Sequence, residues 1–269
     1  MKVTPAFRRT ISAVGNGELL VPLFRSAVAD PKFKGFTIKV DGHDVREPDG
    51  WFHPSTHPTV DERHLYYYLA HPEGARPEYA DPSFVLAVTQ GSFWHDFIQN
   101  VLLHVGAIER NPDPKPGMNP AEWGWAHEET RSRGHSDGIV SASISGQREI
   151  LEIKSMNANR QRKIPQGPPD SPEVIEAFKA LDLGYYAQGQ EYMRISGLRR
   201  WRAIFIAIEY PYPMREVVMD YNPFFAGEIA MKYERVIQAV ADQRPPGHPC
   251  FGKAIQECPY PGLCPEGTP

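Results

Sequence analysis

Cysteine is scarce in this chain. Among 269 residues there are only Cys250, Cys258 and Cys264, all within the last twenty positions. So few thiols, odd in number and confined to one end, argue against a disulfide framework and toward ligation of a metal or cluster. Long apolar runs are missing too, since no stretch approaches the ~18 residues of a membrane-spanning helix. The first ten residues, MKVTPAFRRT, lack the apolar segment of a secretory leader. These absences lead us to expect a soluble, cytoplasmic protein with no membrane partner. Excess positive charge is also absent. The 29 Lys and Arg residues against 33 Asp and Glu give a net charge of -4. No global attraction to nucleic acid follows, although a local basic groove is compatible with an acidic chain.

What the chain does contain is 41% hydrophobic residues, enough for a sizeable core, and 27 prolines that predict long irregular connections. Gly17 to Asp30 reads as a short helix, Phe36 to Val40 as a strand, and Thr59 to His71 as a helix capped by Thr59 or Asp61. A long helix is expected from Asp81-Pro82 to about Val105, with Phe93, Phe97, Val101 and Val105 as its buried stripe. Trp123 to Arg133 reads as a strand, and Asp170 or Ser171 begins another long helix ending near Ile195. Strands Trp201 to Glu209 and Arg215 to Asp220 precede a helix from Pro223 to Asp242. This order predicts an α/β fold with a central mixed β-sheet flanked by helices. Residues 1–58 read as an extension of open role.

The chemistry concentrates between Gly134 and Ser155, in GHSDGIV and EILEIKS. In a strand, side chains two apart share a face, so Glu152 and Lys154 project together while Leu151 and Ile153 enter a core. The intervening Ser-Gly is a turn signal, and a hairpin there would set Asp137 beside Glu152. Two carboxylates and a lysine on rigid strands suit a divalent-cation site. The same residues also suit a turn and an ordinary exposed strand face.

Neighbouring elements narrow that choice. Gly91-x-x-x-His95 lies on a helix, Gly134-x-x-Asp137 closes a strand, Glu152-x-Lys154 lies on the next, and Gln188-x-x-x-Tyr192 lies on the following helix. In this order the four motifs resemble the RecB-type branch of the PD-(D/E)XK nuclease superfamily. The family's proline is replaced here by Ser136. The resemblance implies a PD-(D/E)XK nuclease core in which His95, Asp137, Glu152 and the Ile153 carbonyl hold Mg2+ or Mn2+. It also implies that Lys154 activates water and stabilises phosphate charge, with Gln188 and Tyr192 supporting the centre.

The tail Cys250-FGKAIQE-Cys258-PYPGL-Cys264 is similar to the C-terminal segment of CRISPR-associated RecB-like exonucleases and their phage relatives. There, three such cysteines and one upstream cysteine hold a [4Fe-4S] cluster. Here His71 stands at the upstream place, after LYYYLA and before Pro72. The resemblance therefore implies His71, Cys250, Cys258 and Cys264 as cluster ligands that staple a terminal lobe of 59–80 and 243–269 beside a nuclease core of 81–242. Three cysteines and a histidine also form a structural Zn2+ set. His53, His57 and His248 are alternative fourth ligands.

The function implied is a metal-dependent DNA exonuclease acting on single-stranded DNA or duplex ends, in recombination, replication or CRISPR adaptation. Arg160, Arg162 and Lys163, with Arg199, Arg200 and Arg202, are the expected phosphate contacts. Trp94 is a candidate for base stacking. Proteins of recombination or CRISPR adaptation are possible partners, and an oligomer is compatible. A restriction-type endonuclease and a non-catalytic DNA-binding or assembly factor are the rival readings.

Overall fold

The computed structural model describes residues 17–33, 35, 48–74, 82–247, 259, 260 and 263. The expected strand at Phe36–Val40, the cap Asp81, and His248, Cys250, Cys258 and Cys264 lie outside the described residues. Helix α1 is Leu20–Val28, α2 Glu62–Ala70 and α3 Pro82–His104. Strands β1 (Trp123–His127) and β2 (Ser132–Ser136) pair antiparallel as a separate ribbon. Next come β3 (Gly138–Val140), the short α4 (Ala142–Ser145), β4 (Glu149–Met156) and the short α5 (Ala158–Gln161). Helices α6 (Pro172–Leu181) and α7 (Leu183–Ser196), strands β5 (Arg200–Ala207) and β6 (Met214–Asp220), and α8 (Pro223–Ala241) complete the order.

The main sheet runs β3-β4-β5-β6, with β4 and β5 parallel and both outer pairings antiparallel. The fold is therefore α/β with a mixed sheet flanked by helices. A parallel pair cannot be closed by a tight turn, and α5, α6 and α7 provide the crossover from β4 to β5. Alternation along the strands divides the core. Leu151, Ile153, Ile204 and Ile206 face α1 and α3, while Ile150, Trp201, Ala203 and Phe205 face α6 and α7. Each such Leu, Ile or Phe side chain, removed from water, stabilises the fold by about 1.5–3 kcal/mol. A third cluster joins Phe52, Leu65, Tyr67, Ala187, Tyr233 and Tyr260, so the segment before residue 58, α2, α7, α8 and the tail share one apolar centre.

Several sequence expectations are corrected. Trp123 to Arg133 is not one strand: a turn at 128–131, with Arg131 at φ 46°, folds it into the β1–β2 hairpin. The helix expected from Asp170 to Ile195 breaks at Asp182, whose extended backbone ends α6 and whose carboxylate caps α7 at Tyr185 N (3.0 Å). Asp and Ser favour caps because their short side chains reach the orphaned N–H groups. Asp61, not Thr59, caps α2 in the same way. In α3 the buried side is Ile98, Val101 and Leu102, whereas Phe93 remains 38% exposed. The cause is the partner surface, since α3 meets α1 and β4 along a line offset from the four-residue stripe.

Beneath β5 and β6 lies a buried ionic knot. Arg202 bonds Glu149 and Glu216, and the other oxygen of Glu216 accepts the backbone N–H groups of Leu19 (2.8 Å) and Val21 (2.6 Å). A carboxylate at a helix N-terminus satisfies orphaned donors and the helix dipole together. Glu216 thus ties α1 to the sheet.

Candidate active site

Asp137 occupies the single residue between β2 and β3. The last β3–β4 pair is Gly138 with Leu151, so Asp137 lies opposite Glu152 at the point where β3 turns away. Its Oδ2 accepts the Ile153 N–H (2.6 Å), Oδ1 lies 3.2 Å from His95 Nδ1, and its carbonyl accepts Gln99 Nε2 (2.8 Å). Ser136 Oγ donates to the Gly138 carbonyl (3.1 Å), which fixes the turn that presents Asp137. The serine in place of proline therefore has a local task. His95 reaches the site from α3. One turn earlier Gly91 lets α3 approach β4, since a Cβ there would stand 3.0 Å from Ser155 Oγ.

Glu152 and Lys154 leave β4 on the side covered by α7. Glu152 is 4% exposed, and its Oε1 accepts Lys154 Nζ (2.7 Å) and Gln188 Nε2 (2.9 Å). Its Oε2 and Gln188 Oε1 are buried without hydrogen-bond partners. Such orphaned acceptors are costly and rare in a structural core. Lys154 Nζ lies 5.0 Å over the Tyr185 ring, a cation–π contact that orients the ammonium. The Tyr192 hydroxyl donates to the His135 carbonyl (2.5 Å) and braces β2 two residues before Asp137.

The charges bias one another. For Glu152, burial raises the carboxyl pKa, and the like charge of Asp137 adds to that against the pull of Lys154. Burial would raise Asp137 as well, but the His95 charge and hydrogen bond, with Lys154, hold it below its usual value. For Lys154, the charges of Glu152 and Asp137 outweigh burial and raise its pKa. Glu122 is the acid that sequence reasoning missed. Burial, then Asp137 and Asp96, push its carboxyl to about 7. Its signal was the strand register: Trp123 pairs with Ser136, which puts Glu122 beside Asp137, but reading 123–133 as one strand hid that pairing.

Among the described residues, no three His, Cys, Asp or Glu side chains are gathered closely enough to hold a metal ion as they stand. Lys154 and Gln188 engage Glu152 from the α7 side, while His95 meets Asp137 from α3. The donor set nonetheless suits a hard divalent cation: carboxylate oxygens, one imidazole, an orphaned carboxylate oxygen and an acid with raised pKa.

The expected phosphate contacts fall into two groups. Arg162 and Lys163 are exposed just after α5, and Arg160 pairs with Asp182 beside Tyr185. In the other cluster Arg199 is exposed, whereas Arg200 and Arg202 are engaged by acids. Arg202 is buried in its knot with Glu149 and Glu216, and Arg200 is paired with Asp170 and Asp220 (2.9 Å each). Arg199 lies over Tyr221 at 4.5 Å. Alternation along β5 turned two of these three guanidinium groups toward acids. Trp94 packs against Phe93, Phe97 and Tyr212, away from the site. Of the distal set, His71 is described, at the C-cap of α2, with Nδ1 3.6 Å from Glu73. His57 is buried, and its Nδ1 accepts the His53 N–H (2.7 Å).

No family model and no curated protein matches the chain. Among solved structures it is similar to the crystal structure of SSO0001, at 13% identity and a TM-score of 0.45, with 93% of this chain and 96% of that chain covered. A likeness of that degree carries no functional argument. No described helix is long and apolar enough to cross a membrane.

Proposed function

We propose that this chain is a divalent-metal-dependent deoxyribonuclease of the PD-(D/E)XK type, hydrolysing phosphodiester bonds of single-stranded DNA or DNA ends as an exonuclease. The observation that carries the reading is the convergence at Asp137. His95 and the Ile153 N–H meet its carboxylate, and across from it Glu152 is held by Lys154 and Gln188 with one buried oxygen unpartnered. A buried carboxylate oxygen without a partner is costly, which supports a site shaped to receive a further ligand.

His95, Asp137, Glu152 and the Ile153 carbonyl would hold the Mg2+ or Mn2+. The bound ion supplies Lewis acidity and lowers the pKa of water. The chain's own groups do the rest. Lys154 places a positive charge where phosphate charge develops, and its cation–π contact with Tyr185 fixes its direction. Gln188 holds Glu152 in place, and Tyr192 holds the strand that presents Asp137. Exposed Arg162, Lys163 and Arg199 are the remaining candidates for contact with the strand's phosphates.

The terminal lobe belongs to the same proposal. Tyr260, in the CPYPGLC segment, lies 6.1 Å from the ring of Tyr67 and 5.4 Å from that of His64, both on α2. Leu263 packs on Gly74, so a Cβ added there would stand 2.4 Å from its Cδ1. These contacts set Tyr260 against α2 and Leu263 against the turn after His71, which supports a shared iron–sulfur or zinc centre of His71 with the three cysteines. With Mn2+, the purified protein should degrade linear single-stranded DNA. Asp137→Ala and Lys154→Ala should each slow this by about 100-fold or more with an unchanged circular-dichroism spectrum. Full activity in both variants would sink the assignment.

A further inference from the structure

Beside the site the outer face of the β1–β2 hairpin is hollow. Gly124 and Ala126 supply it with almost no side chain, whereas β2 opposite carries Arg133 and His135. The His135 ring lies across Gly124, where a Cβ would stand 2.8 Å from His135 Cδ2. The loop containing Trp51 and the segment containing Lys115 and Met118 wall this trough into an open cleft of about 690 Å3. On one wall Arg133 lies over the Trp51 ring at 5.1 Å, and Asp49 holds its guanidinium (2.7 Å).

The lining argues about its occupant. Asp49, Asp113 and Glu128 border the cleft along with Arg133 and Lys115. With Arg133 paired to Asp49, the remaining charges are Asp113 and Glu128 against Lys115, one negative charge in excess, which does not favour a phosphate, so the occupant presents an uncharged face. A flat stacked pair of Trp51 and Arg133, with carboxylate and amide acceptors and donors at the rim, suits the face and edge of a nucleobase. Position agrees. His135 and Gly124 face one another two residues from Asp137 and Glu122, about 7 Å along the strands. That is the reach of the nucleotide adjoining a scissile phosphate at Asp137.

We propose that this cleft seats an unpaired base of the DNA strand next to the scissile phosphate, making single-stranded DNA the preferred substrate. The proposal rests on the phosphodiesterase reading of the Asp137 site for its orientation. A base stacked on Trp51 with its edge bonded to the polar rim has no edge left for a complementary base, so duplex reaches the site only through frayed ends.

The test is binding of fluorescent oligo(dT) and of a blunt duplex, followed by anisotropy with Ca2+ in place of Mn2+. Trp51→Ala and Ala126→Glu should raise the Kd for oligo(dT) about tenfold, the scale of one lost base stack. Trp51→Phe should restore near-wild-type binding, which a merely structural role for the loop would not require, and duplex binding should be unmoved. Thermal melts confirm that each variant is folded. If both lesions leave oligo(dT) binding unchanged, or weaken single strand and duplex alike, the cleft proposal is overturned. A separate measurement judges the underlying reading: wild-type protein with Mn2+ should hydrolyse bis(p-nitrophenyl) phosphate, which is too small to need the cleft. Failure there overturns the Asp137 site while the binding series still decides the cleft.

Discussion

Gly189 sits in the middle of α7, one residue after Gln188, where the helix lies against the sheet. A Cβ added there would stand 2.1 Å from Met219 Cε and 2.9 and 3.0 Å from two ring atoms of Trp201. The methionine end is flexible and can swing aside, but Trp201 is fully buried and held by the surrounding core. Gly189→Ala therefore sets two effects against each other. Alanine favours the helix by about 1 kcal/mol. Overpacking a filled core costs about 1–3 kcal/mol, and rigid contacts this short belong at the upper end. The net destabilisation is about 2 kcal/mol, a fall of roughly 4–8 °C in melting temperature for a chain of this size. Gly227 in α8 is the control, because nothing lies within 4 Å of its added Cβ. Gly227→Ala should gain about 1 kcal/mol and raise the melting temperature by roughly 2–4 °C. Calorimetry of the two variants checks the signs. Equal shifts in the same direction would show that helix propensity, not the approach of α7 to Trp201, governs this site.

Glu216→Gln strips one of the two carboxylates that compensate buried Arg202 and weakens the acceptor at the start of α1; because Glu149 stays on the guanidinium, it should cost about 3 kcal/mol, the low end for a broken buried pair, by urea denaturation. His57 titrates near pH 3 rather than 6.5, because burial, then the charges of His53 and His64, disfavour its protonated form. With the folded pKa below the unfolded value, the unfolded chain takes up the proton first, so stability falls as pH drops from about 6.5 toward 3. The integrated loss is up to about 5 kcal/mol. His57→Asn, whose amide oxygen can still accept the His53 N–H, should flatten that acid limb in denaturation measured at a series of pH values. Elemental analysis should find iron with visible absorbance, or zinc, and His71→Ala should lower its content; protein with neither metal refutes the distal centre.

How much was legible depended on the range of the forces involved. Strands β4, β5 and β6 and helices α2, α3 and α8 were readable because alternation, caps and apolar spacing are local. The pairing of Asp137 with Glu152 was also within reach, since a short hairpin connects them. The β1–β2 hairpin was missed because its turn, with Arg131 at positive φ, carries neither glycine nor proline. Asp182 was missed as a break because an aspartate inside a helical pattern gives only a weak signal against two flanking apolar runs. Glu122 followed from that first error, as did the cleft over Gly124 and Ala126. The arginines of β5 show the converse limit. Sequence counted their charge, but only the tertiary structure brought Glu149, Glu216, Asp170 and Asp220 to them. Local pattern thus determined which elements form and which face of β4 carries Glu152 and Lys154. Which charges are spent inside the fold, and which remain to meet a ligand, was decided only when distant segments packed together.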